Sequence, residues 1–430
     1  MCNFEDLQSD ILLDIITRLP IESILDSKLV CKPLRNLVSH HPKFSQLHLD
    51  RLNQLADSGE LSFILLIDNQ DLYYFEYIEK HDDNQDLYYF EYIEKHDEKK
   101  PPVHSIKRIN VTLPLEFSYY KVLGSFNGLV CLYGWKDTDN DCTACICNPM
   151  TREYVELPKI NSIERDCDDM CIHLSAGFGY LPLTNEYKVV ELYKLRGEFD
   201  FIEVAVYTLG GGNGWRNVGR IHFQSSEKYS QYGVFANGAL HWVDEIVGTV
   251  LVFDLTEETF SGYVSPPPMP ANSIWDYSVG VLGRVLYCTV EYNDLIIRGC
   301  SYSELWRLTA KNDIHGIIEQ VEQEPLGWTK EVLCFPRKMQ LAFTKSGGPL
   351  CFDDRSFDIY DSIASTLKEL IVGLSAGNQI FPHKNTLVSL KELGEDTKIM
   401  ENRKPDSKIR IFLGTLINRL MPKITKFGIV

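Results

Sequence analysis

The first fifty residues of the chain have the hydrophobic spacing of short helices. The apolar residues that share one face of the first helix are Ile11, Leu12, Ile15, Ile16 and Leu19. Ser9 or Asp10 can cap this helix, and Pro20 ends it. Two further short apolar segments follow, so we predict three helices over residues 4–49. So small a helical unit buries little core, which indicates that part of its apolar surface contacts another protein.

From about residue 61 the pattern changes to short apolar segments bounded by turn residues, which is typical of β-strands. The segments predicted as strands are 63–67, 128–132, 187–192, 204–207, 238–243 and 250–254. We therefore predict a linker at residues 50–60 and an all-β domain at residues 61–400, either a sandwich or a propeller. At about 40–50 residues per blade, a propeller of this size would have six to eight blades.

A segment of fifteen residues occurs twice in succession without change, at residues 68–82 and again at 83–97. Structural repeats usually run about 20–50 residues and diverge, so this perfect copy indicates a local tandem duplication. Each copy has the aromatic and apolar residues of one strand, and two copies compete for one position in a sheet. We predict that one copy pairs in the sheet and that the other extends a hairpin or loops out.

The charge balance excludes some classes of partner. The chain of 430 residues has a formal net charge of −17, which argues against nucleic-acid binding, since such proteins usually show a basic surface. Apolar residues make up 44% of the chain, and there is no run of about 18 apolar residues that would predict a membrane span. The acidic start lacks the order of a signal peptide, so we expect reduced thiols and a cytoplasmic or nuclear location.

Six residues have a spacing that could bind a metal: Cys142, Cys145, Cys147, Cys167, Cys171 and His173. Thiolates and an imidazole hold zinc tetrahedrally. The interpretation as core thiols is stronger, because Cys145 and Cys147 share one face of a predicted strand and paired Cys-x2-Cys elements are missing. We therefore predict no metal and no cofactor, with zinc as the minor alternative.

The C-terminal tail, residues 401–430, differs from the rest in charge. Residues 403–430 hold seven lysines or arginines and one aspartate, and their apolar positions have helical spacing. A basic amphipathic helix can bind a membrane surface or a partner. Gly414 and Pro422 interrupt the pattern, so we favour a terminal segment that docks on the acidic body of the protein or stays mobile.

No group of residues in the sequence supports catalysis. The glycine-rich stretch at residues 210–214 lacks the Lys-Ser or Lys-Thr that completes a phosphate loop. His241 stands alone on a predicted strand, where a histidine is more often structural than catalytic. Neither a Gly-x-Ser-x-Gly nor a His-Glu-x-x-His motif occurs. The sequence predicts a binding protein and not an enzyme.

Short motifs of the N-terminal segment follow one another in a recognisable order. They are Leu7, Asp10 and Ile11, then Arg18, Leu19 and Pro20, then Val30, Cys31, Lys32 and Arg35. Together they resemble an F-box, although Gln8 replaces the first proline of that pattern and Leu34 replaces its tryptophan. The resemblance implies that this segment binds a Skp-type adaptor protein and, through it, a cullin.

The β region carries a second ordered set of motifs, at residues 124–131, 147–153, 177–180, 184–190, 206–207, 215–216, 237–242 and 253–255. In physical terms these are mainly turns and core aromatics, and Asn127-Gly128 and Asn237-Gly238 are strong hairpin signals. Their order and spacing resemble the F-box-associated domain of plant proteins, which is kelch-like or propeller-like. The resemblance implies the substrate receptor of an SCF-type cullin–RING ubiquitin ligase, whose β domain recruits an unidentified protein.

The resemblance also implies which residues bind the adaptor or support that contact: Leu7, Asp10, Ile11, Ile15, Leu19, Pro20, Leu25, Val30 and Cys31. Some of them must form the small core of the F-box, and the sequence does not separate the two groups. Two alternatives stay open. One is an F-box scaffold that works with its adaptor outside ubiquitin ligases, and the other is a carbohydrate-binding β-propeller.

Overall fold

The computed structural model describes residues 8–402, with gaps in its description at residues 42, 55–59, 69–84, 94–102, 114–116, 118, 136–141, 161–170, 196–199, 223–231, 245–247, 269–274, 283–284, 295–299, 311–325, 336–338, 344–348, 354–355, 362–365 and 373–378. Leu7, Cys167, most of the first duplicated copy and the basic segment 403–430 therefore lie outside the described residues.

The N-terminal helices are α1 (Ser9–Ile16), α2 (Ile21–Val30), α3 (Lys32–His40) and α4 (Phe44–Gln54). The first three were predicted. Pro20 was expected to end α1, but α1 already ends at Ile16 and Pro20 is the N-cap of α2. Pro33 lies in the first turn of α3. The fourth was not predicted, and it takes residues 50–54 out of the expected linker. Its own apolar pattern is weak, and it is stabilised by burying Phe44 and Leu49 against other elements.

The cap predicted for α1 was wrong. Gln8 is the N-cap, and its backbone carbonyl accepts hydrogen bonds from the amides of Ile11 and Leu12 at 3.1 and 3.2 Å. Ser9 and Asp10 lie inside the first turn, where the carboxylate of Asp10 interacts favourably with the positive end of the helix dipole. No side chain caps this helix.

The strands of the first half are β1 (Glu60–Asp68), β2 (Gln85–Ile93), β3 (Val103–Arg108), β4 (Tyr119–Phe126), β5 (Leu129–Trp135), β6 (Cys142–Cys147), β7 (Glu153–Glu156), β8 (Cys171–Leu181), β9 (Glu186–Leu195), β10 (Phe201–Thr208) and β11 (Trp215–His222). Those of the second half are β12 (Tyr232–Ala236), β13 (Ala239–Val243), β14 (Val250–Asp254), β15 (Thr259–Val264), β16 (Trp275–Leu282), β17 (Val285–Asp294), β18 (Cys300–Ala310), β19 (Leu326–Phe335), β20 (Met339–Phe343), β21 (Pro349–Asp353), β22 (Ser356–Asp361), β23 (Thr366–Val372), β24 (Gln379–Pro382) and β25 (Lys398–Ile399). All six segments predicted as strands fall on strands.

The described strands form five hydrogen-bonded sheets, one of eight strands, one of five and three of four, which we divide into six four-stranded antiparallel units. Unit 1 is β24-β1-β2-β3, unit 2 is β4 to β7 with β25 added at its edge, and units 3 to 6 are β8–β11, β12–β15, β16–β19 and β20–β23. Units 3 and 4 are joined by a two-residue parallel pairing of β8 with β12. The late strand β24 completes unit 1, which joins the end of the domain to its beginning.

Neighbouring units pack face to face through shared hydrophobic clusters, which gives the domain its propeller-like arrangement. Unit 1 meets unit 2 through Leu66 and Leu132, and unit 3 meets unit 4 through Val204 and Trp242. Unit 6 packs back on unit 1, where the rings of Phe357 and Phe90 lie edge to face at 4.9 Å. The expectation of an all-β domain is confirmed, and a propeller is favoured over a two-sheet sandwich.

The second duplicated copy supplies β2, which pairs with β1 and β3. Tyr88, Phe90 and Tyr92 face one side of this strand and pack in the cluster shared with unit 6. One copy therefore pairs in the sheet, as predicted, and buries the aromatic face of the repeated sequence. The arrangement of residues 69–82 lies outside the described residues.

A C-terminal strap, residues 383–402, runs from β24 back across units 2 and 3. Asn148, in the turn between β6 and β7, donates hydrogen bonds to the backbone carbonyls of Thr386 and Val388 at 3.2 and 2.7 Å. The Glu153 carboxylate accepts hydrogen bonds from the Ser389 hydroxyl and the Leu390 amide at 2.9 and 2.7 Å. The motif at residues 147–153 therefore forms a turn and also binds the strap through hydrogen bonds.

Candidate functional site

The F-box residues divide into a core and an exposed set. The buried core consists of Leu12, Ile16, Ile21, Ile24, Leu34, Val38, Phe44 and, from the C-terminal strap, Leu387. Of the predicted adaptor-binding residues, Asp10, Ile11, Ile15, Pro20 and Val30 are exposed, whereas Leu19, Leu25 and Cys31 are half-buried and pack on the core. Leu7 lies outside the described residues. The structure thus separates two groups that the sequence pattern leaves mixed.

The exposed apolar residues of the F-box lie on two elements. Ile11 and Ile15 are one turn apart on α1 and are 47% and 42% exposed, while Leu29 and Val30 end α2 at 79% and 68%. Leu29 was missed, because a leucine in a short apolar segment is expected in the core. This much exposed aliphatic surface on a unit of four short helices is typical of a protein contact.

The two departures from the F-box pattern preserve local structure. Leu34 is 3% exposed in the helical core, so it fills an apolar position there. Gln8 has φ −60° and ψ 143°, the backbone conformation that proline also adopts. Both substitutions therefore keep the geometry that the pattern requires.

An ion-pair network ties α1 to α4. The Asp14 carboxylate pairs with the guanidinium of Arg18 at 3.0 Å and with that of Arg51. The hydrogen bonds from Arg18 and Arg51 hold the pKa of Asp14 below its usual range. The network is exposed, so its role is to orient the helices more than to stabilise them.

The β domain has a cavity of about 320 Å³ between units 2, 3 and 4, here called the ring cavity. Its lining side chains come from β4, β5, β6, β8 and β12: Tyr119, Lys121, Tyr133, Trp135, Cys142, His173, Leu174, Ser175, Ala176 and Tyr232. This volume is typical of small-molecule or side-chain binding sites. Of these residues, Cys142 and His173 were considered from the sequence, as ligands in the minor zinc alternative, and the others were not predicted as part of a binding site.

One wall of the ring cavity is aromatic and cationic. Trp135 lies edge-on to Tyr133, with ring centroids 5.2 Å apart, and near Tyr232 at 6.4 Å. The Lys121 ammonium is 5.2 Å from the ring centroid of Tyr232 and 6.0 Å from that of Trp135, and burial lowers its pKa. Aromatic faces and an ammonium suit an aromatic or acidic group of a bound partner.

Part of the cavity lining forms a polar cluster with Glu191. The Tyr133 hydroxyl donates to a Glu191 carboxylate oxygen at 2.6 Å and lies 3.2 Å from Cys142 Sγ and 3.3 Å from His173 Nδ1. His173 Nδ1 also contacts Glu191. Burial alone lowers the pKa of His173, but its hydrogen bonds to Cys142 and Glu191 and their charges outweigh this and raise the pKa to about 10.

Three of the cysteines considered as metal ligands lie on β6 and divide between its two faces. Cys145 and Cys147 share one buried face, as predicted, and burial raises the pKa of both thiols. Cys142 points to the other face and meets His173, while Cys171 is half-buried on β8. Glu191 was missed, and the signal that could have found it is an acid inside the apolar run of β9.

The features weighed as catalytic have structural roles. His241 is buried and its Nδ1 lies 3.2 Å from the backbone carbonyl of Val234, and burial lowers its pKa to about 4. The glycine-rich stretch is a turn at Thr208–Trp215, where Gly210 lies against the strap at Leu393. No helix of the described part of the chain is long and apolar enough to cross a membrane.

Comparison with known families agrees with this division of the chain. The model of the F-box domain matches residues 4–46, and the model of the F-box associated beta propeller domain matches residues 75–279. The first match covers α1 to α3 and the start of α4, and the second covers β2 to β15 and part of β16.

The relatives with similar sequences include F-box proteins of Arabidopsis thaliana. "F-box protein At3g07870" of Arabidopsis thaliana is 27% identical over 317 residues, which are 67% of each chain. "F-box protein CPR1" of the same plant is 27% identical over 327 residues, 70% of this chain and 69% of the relative. Among solved structures, the beta-propeller domain of the Trilobed protease from Pyrococcus furiosus covers 60% of this chain and 86% of its own at 13% identity, with a TM-score of 0.32 that is too low to relate the folds in detail.

Proposed function

We propose that this chain, an F-box protein with an F-box associated β-propeller domain, is the substrate-recognition subunit of an SCF-type cullin–RING ubiquitin ligase. The F-box domain implies binding to a Skp-type adaptor. The β domain then recruits a target protein. The observation that carries the proposal is an F-box with exposed apolar residues held against a large β domain by the C-terminal strap.

The chain acts by proximity and performs no chemistry itself. Its helices bind the adaptor and, through it, the cullin, while the β domain holds the target near the ubiquitin-loaded enzyme. Such tethering raises the effective concentration of the target lysine and orients it. A fixed angle between F-box and β domain serves this function, and the strap contacts both.

The adaptor contact is proposed on the exposed residues of the F-box: Asp10, Ile11, Ile15, Pro20, Leu29 and Val30. Leu19, Leu25 and Cys31 support it from below, because they are half-buried against the helical core. The exposed aliphatic residues would supply the apolar centre of the interface. We expect the complex in the cytoplasm or nucleus.

The test is co-purification of the adaptor with the full chain carrying Ile15→Asp and Val30→Asp. Both residues are exposed, so the variant keeps its fold while a charge enters the interface. We expect loss of adaptor binding and unchanged thermal unfolding. The control is Leu183→Asp, in the turn between β8 and β9, which is 101% exposed and far along the chain from the F-box. Adaptor binding retained by the double variant would refute the assignment.

A second measurement separates a ligase subunit from a scaffold. We expect cullin in the same complex and ubiquitin on captured proteins when the proteasome is inhibited. The comparison uses the point variant and not a deletion of the F-box, because a deletion would uncover Leu387, which is buried in the helical core. Adaptor without cullin would favour the scaffold role.

A further inference from the structure

Three side chains with metal-binding atoms converge beneath the ring cavity. The thiol of Cys142 on β6, the imidazole of His173 on β8 and the carboxylate of Glu191 on β9 place one ligand atom each within 4.8 Å of one another. They come from two neighbouring units, and Cys142 and His173 also line the cavity. Cys142 and His173 belong to the spacing pattern seen in the sequence, whereas Glu191 does not.

The local backbone helps to bring His173 into this group. The register between β8 and β9 shifts between His173 and Ser175, which is a β-bulge or similar irregularity. Bulges redirect a side chain and are common beside functional sites. In the same region β6 turns Cys142 away from Cys145 and Cys147, toward the cavity face.

We propose that Cys142, His173 and Glu191 bind one Zn²⁺ ion, with the fourth position open to the ring cavity. A thiolate, an imidazole and a carboxylate are the donors that zinc takes, and the thiolate argues against calcium or magnesium. Three protein ligands with one open position is the arrangement of zinc sites that accept water or a further ligand. Water holds that position until a donor from a bound partner replaces it.

The surroundings fit a bound cation. Glu191 is 2% exposed and Cys142 6%, so two potential anions are held in a site with little water. A divalent ion with one thiolate, one carboxylate and a neutral imidazole is electrically balanced, which removes the cost of burying unpaired charge. The Tyr133 hydroxyl donates to Glu191 at 2.6 Å, and this is the kind of outer hydrogen bond that orients a carboxylate ligand.

The metal would have two consequences. It would link β6 of unit 2 to β8 and β9 of unit 3, and so fix the wall of the cavity. It would also give the cavity a Lewis-acid centre with one open coordination position, which favours a partner group with an oxygen, nitrogen or sulfur donor.

The first measurement is zinc content by mass spectrometry of the full chain purified without chelator and incubated with zinc. We expect about one zinc per chain, bound at least tenfold more weakly by Cys142→Ala and by the near-isosteric Glu191→Gln. The matched control is Cys145→Ala, a buried cysteine on the opposite face of the same strand, which keeps wild-type binding. Equal zinc in the wild type and both site variants would overturn the proposal.

The second measurement uses only the wild-type chain, so it does not depend on whether a variant folds. Cobalt(II) titrated into the wild-type chain should give the near-ultraviolet charge-transfer band of a thiolate ligand, together with the visible bands of tetrahedral cobalt. Zinc should remove both. A chain that takes up neither zinc nor cobalt overturns the proposal, and so does cobalt bound without the thiolate band.

Discussion

The Lys384 ammonium donates a hydrogen bond of 2.7 Å to the backbone carbonyl of Leu52, 332 residues earlier in the chain. Leu52 lies in the last turn of α4, where backbone carbonyls have no partner within the helix. The lysine ammonium also interacts favourably with the negative end of the helix dipole there. The strap thus caps the C-terminal end of α4. It also contacts the first turn of α4, where the Glu392 carboxylate accepts a hydrogen bond from the Ser45 hydroxyl at 3.0 Å.

The first prediction concerns this helix end. Lys384→Met keeps the length of the side chain and removes its charge and donor. We expect a loss of about 1 kcal/mol in the free energy of unfolding and faster hydrogen exchange at the end of α4. The control is Lys391→Met, an exposed lysine of the same strap. Equal exchange rates in the two variants would show that the contact does not hold the helix.

The second prediction tests the strap inside the F-box. Leu387 is 7% exposed within the helical core, so Leu387→Ala leaves a cavity there and should lower the free energy of unfolding by about 2–4 kcal/mol. We expect weaker adaptor binding as well, although Leu387 belongs to no exposed apolar group. Thermal unfolding and adaptor titration measure the two effects. Leu183→Ala, on the exposed turn, should change neither.

The third prediction uses two equivalent hairpin turns as a matched pair. Gly128 and Gly238 each follow an asparagine, and each has a φ of +82°. A Cβ at Gly128 would lie 2.2 Å from the Thr386 hydroxyl oxygen, while a Cβ at Gly238 meets nothing within 4 Å. Gly238→Ala should therefore cost about 1–2 kcal/mol of unfolding free energy from backbone strain alone.

Gly128→Ala should cost clearly more than Gly238→Ala. The added carbon displaces the Thr386 hydroxyl, which donates to the carbonyl of Asn127 at 2.6 Å and fixes the strap on this turn. Adding Thr386→Ala should recover part of the difference, because it removes the nearest atom, the hydroxyl oxygen, while the Cβ of residue 386 at 2.9 Å remains. Chemical denaturation of the four chains measures this. Equal losses in both glycine variants would contradict the role of the strap.

The hairpins illustrate what the sequence can predict. Asn-Gly between apolar runs predicts both turns, because the backbone conformation depends on the two residues themselves. Nothing local distinguishes Gly128 from Gly238, since the difference is a strap more than 250 residues away. For the same reason the sequence did not predict Glu191 or the ring cavity as part of a site, because the cavity walls come from strands distant in the chain. Local periodicity predicts the helices and strands, whereas the strap contacts and the cavity depend on residues distant in the chain.

The fourth prediction is a dependence of stability on pH through His383. This residue is buried, with Nδ1 2.7 Å from the Ser125 hydroxyl and Nε2 3.2 Å from the amide oxygen of Asn385. Burial lowers its pKa from 6.5 to about 4, and the hydrogen bond to Asn385 offsets only part of this. The imidazole is therefore neutral in the folded chain at pH values where the unfolded chain is protonated.

The sign follows from proton uptake. Below pH 6.5 the unfolded chain binds a proton that folded His383 does not bind until about pH 4, so the free energy of unfolding falls as the pH drops through this window. The contribution of His383 between pH 7 and 5 is roughly 2 kcal/mol. His241, with a pKa also lowered to about 4 by burial, adds a fall in the same direction.

Denaturation of the wild type and of His383→Gln at pH 7, 6 and 5 separates these contributions. The amide of glutamine keeps a donor and an acceptor near Ser125 and Asn385 but does not titrate. We expect the variant to be less stable at pH 7 and to lose less stability on acidification. His241 still lowers the stability as the pH falls, while His173, whose pKa is raised, acts in the opposite direction in both chains. His40→Gln, an exposed histidine at the end of α3, should keep the wild-type slope. A slope unchanged in His383→Gln would mean that His383 takes up its proton over the same pH range in the folded and the unfolded chain.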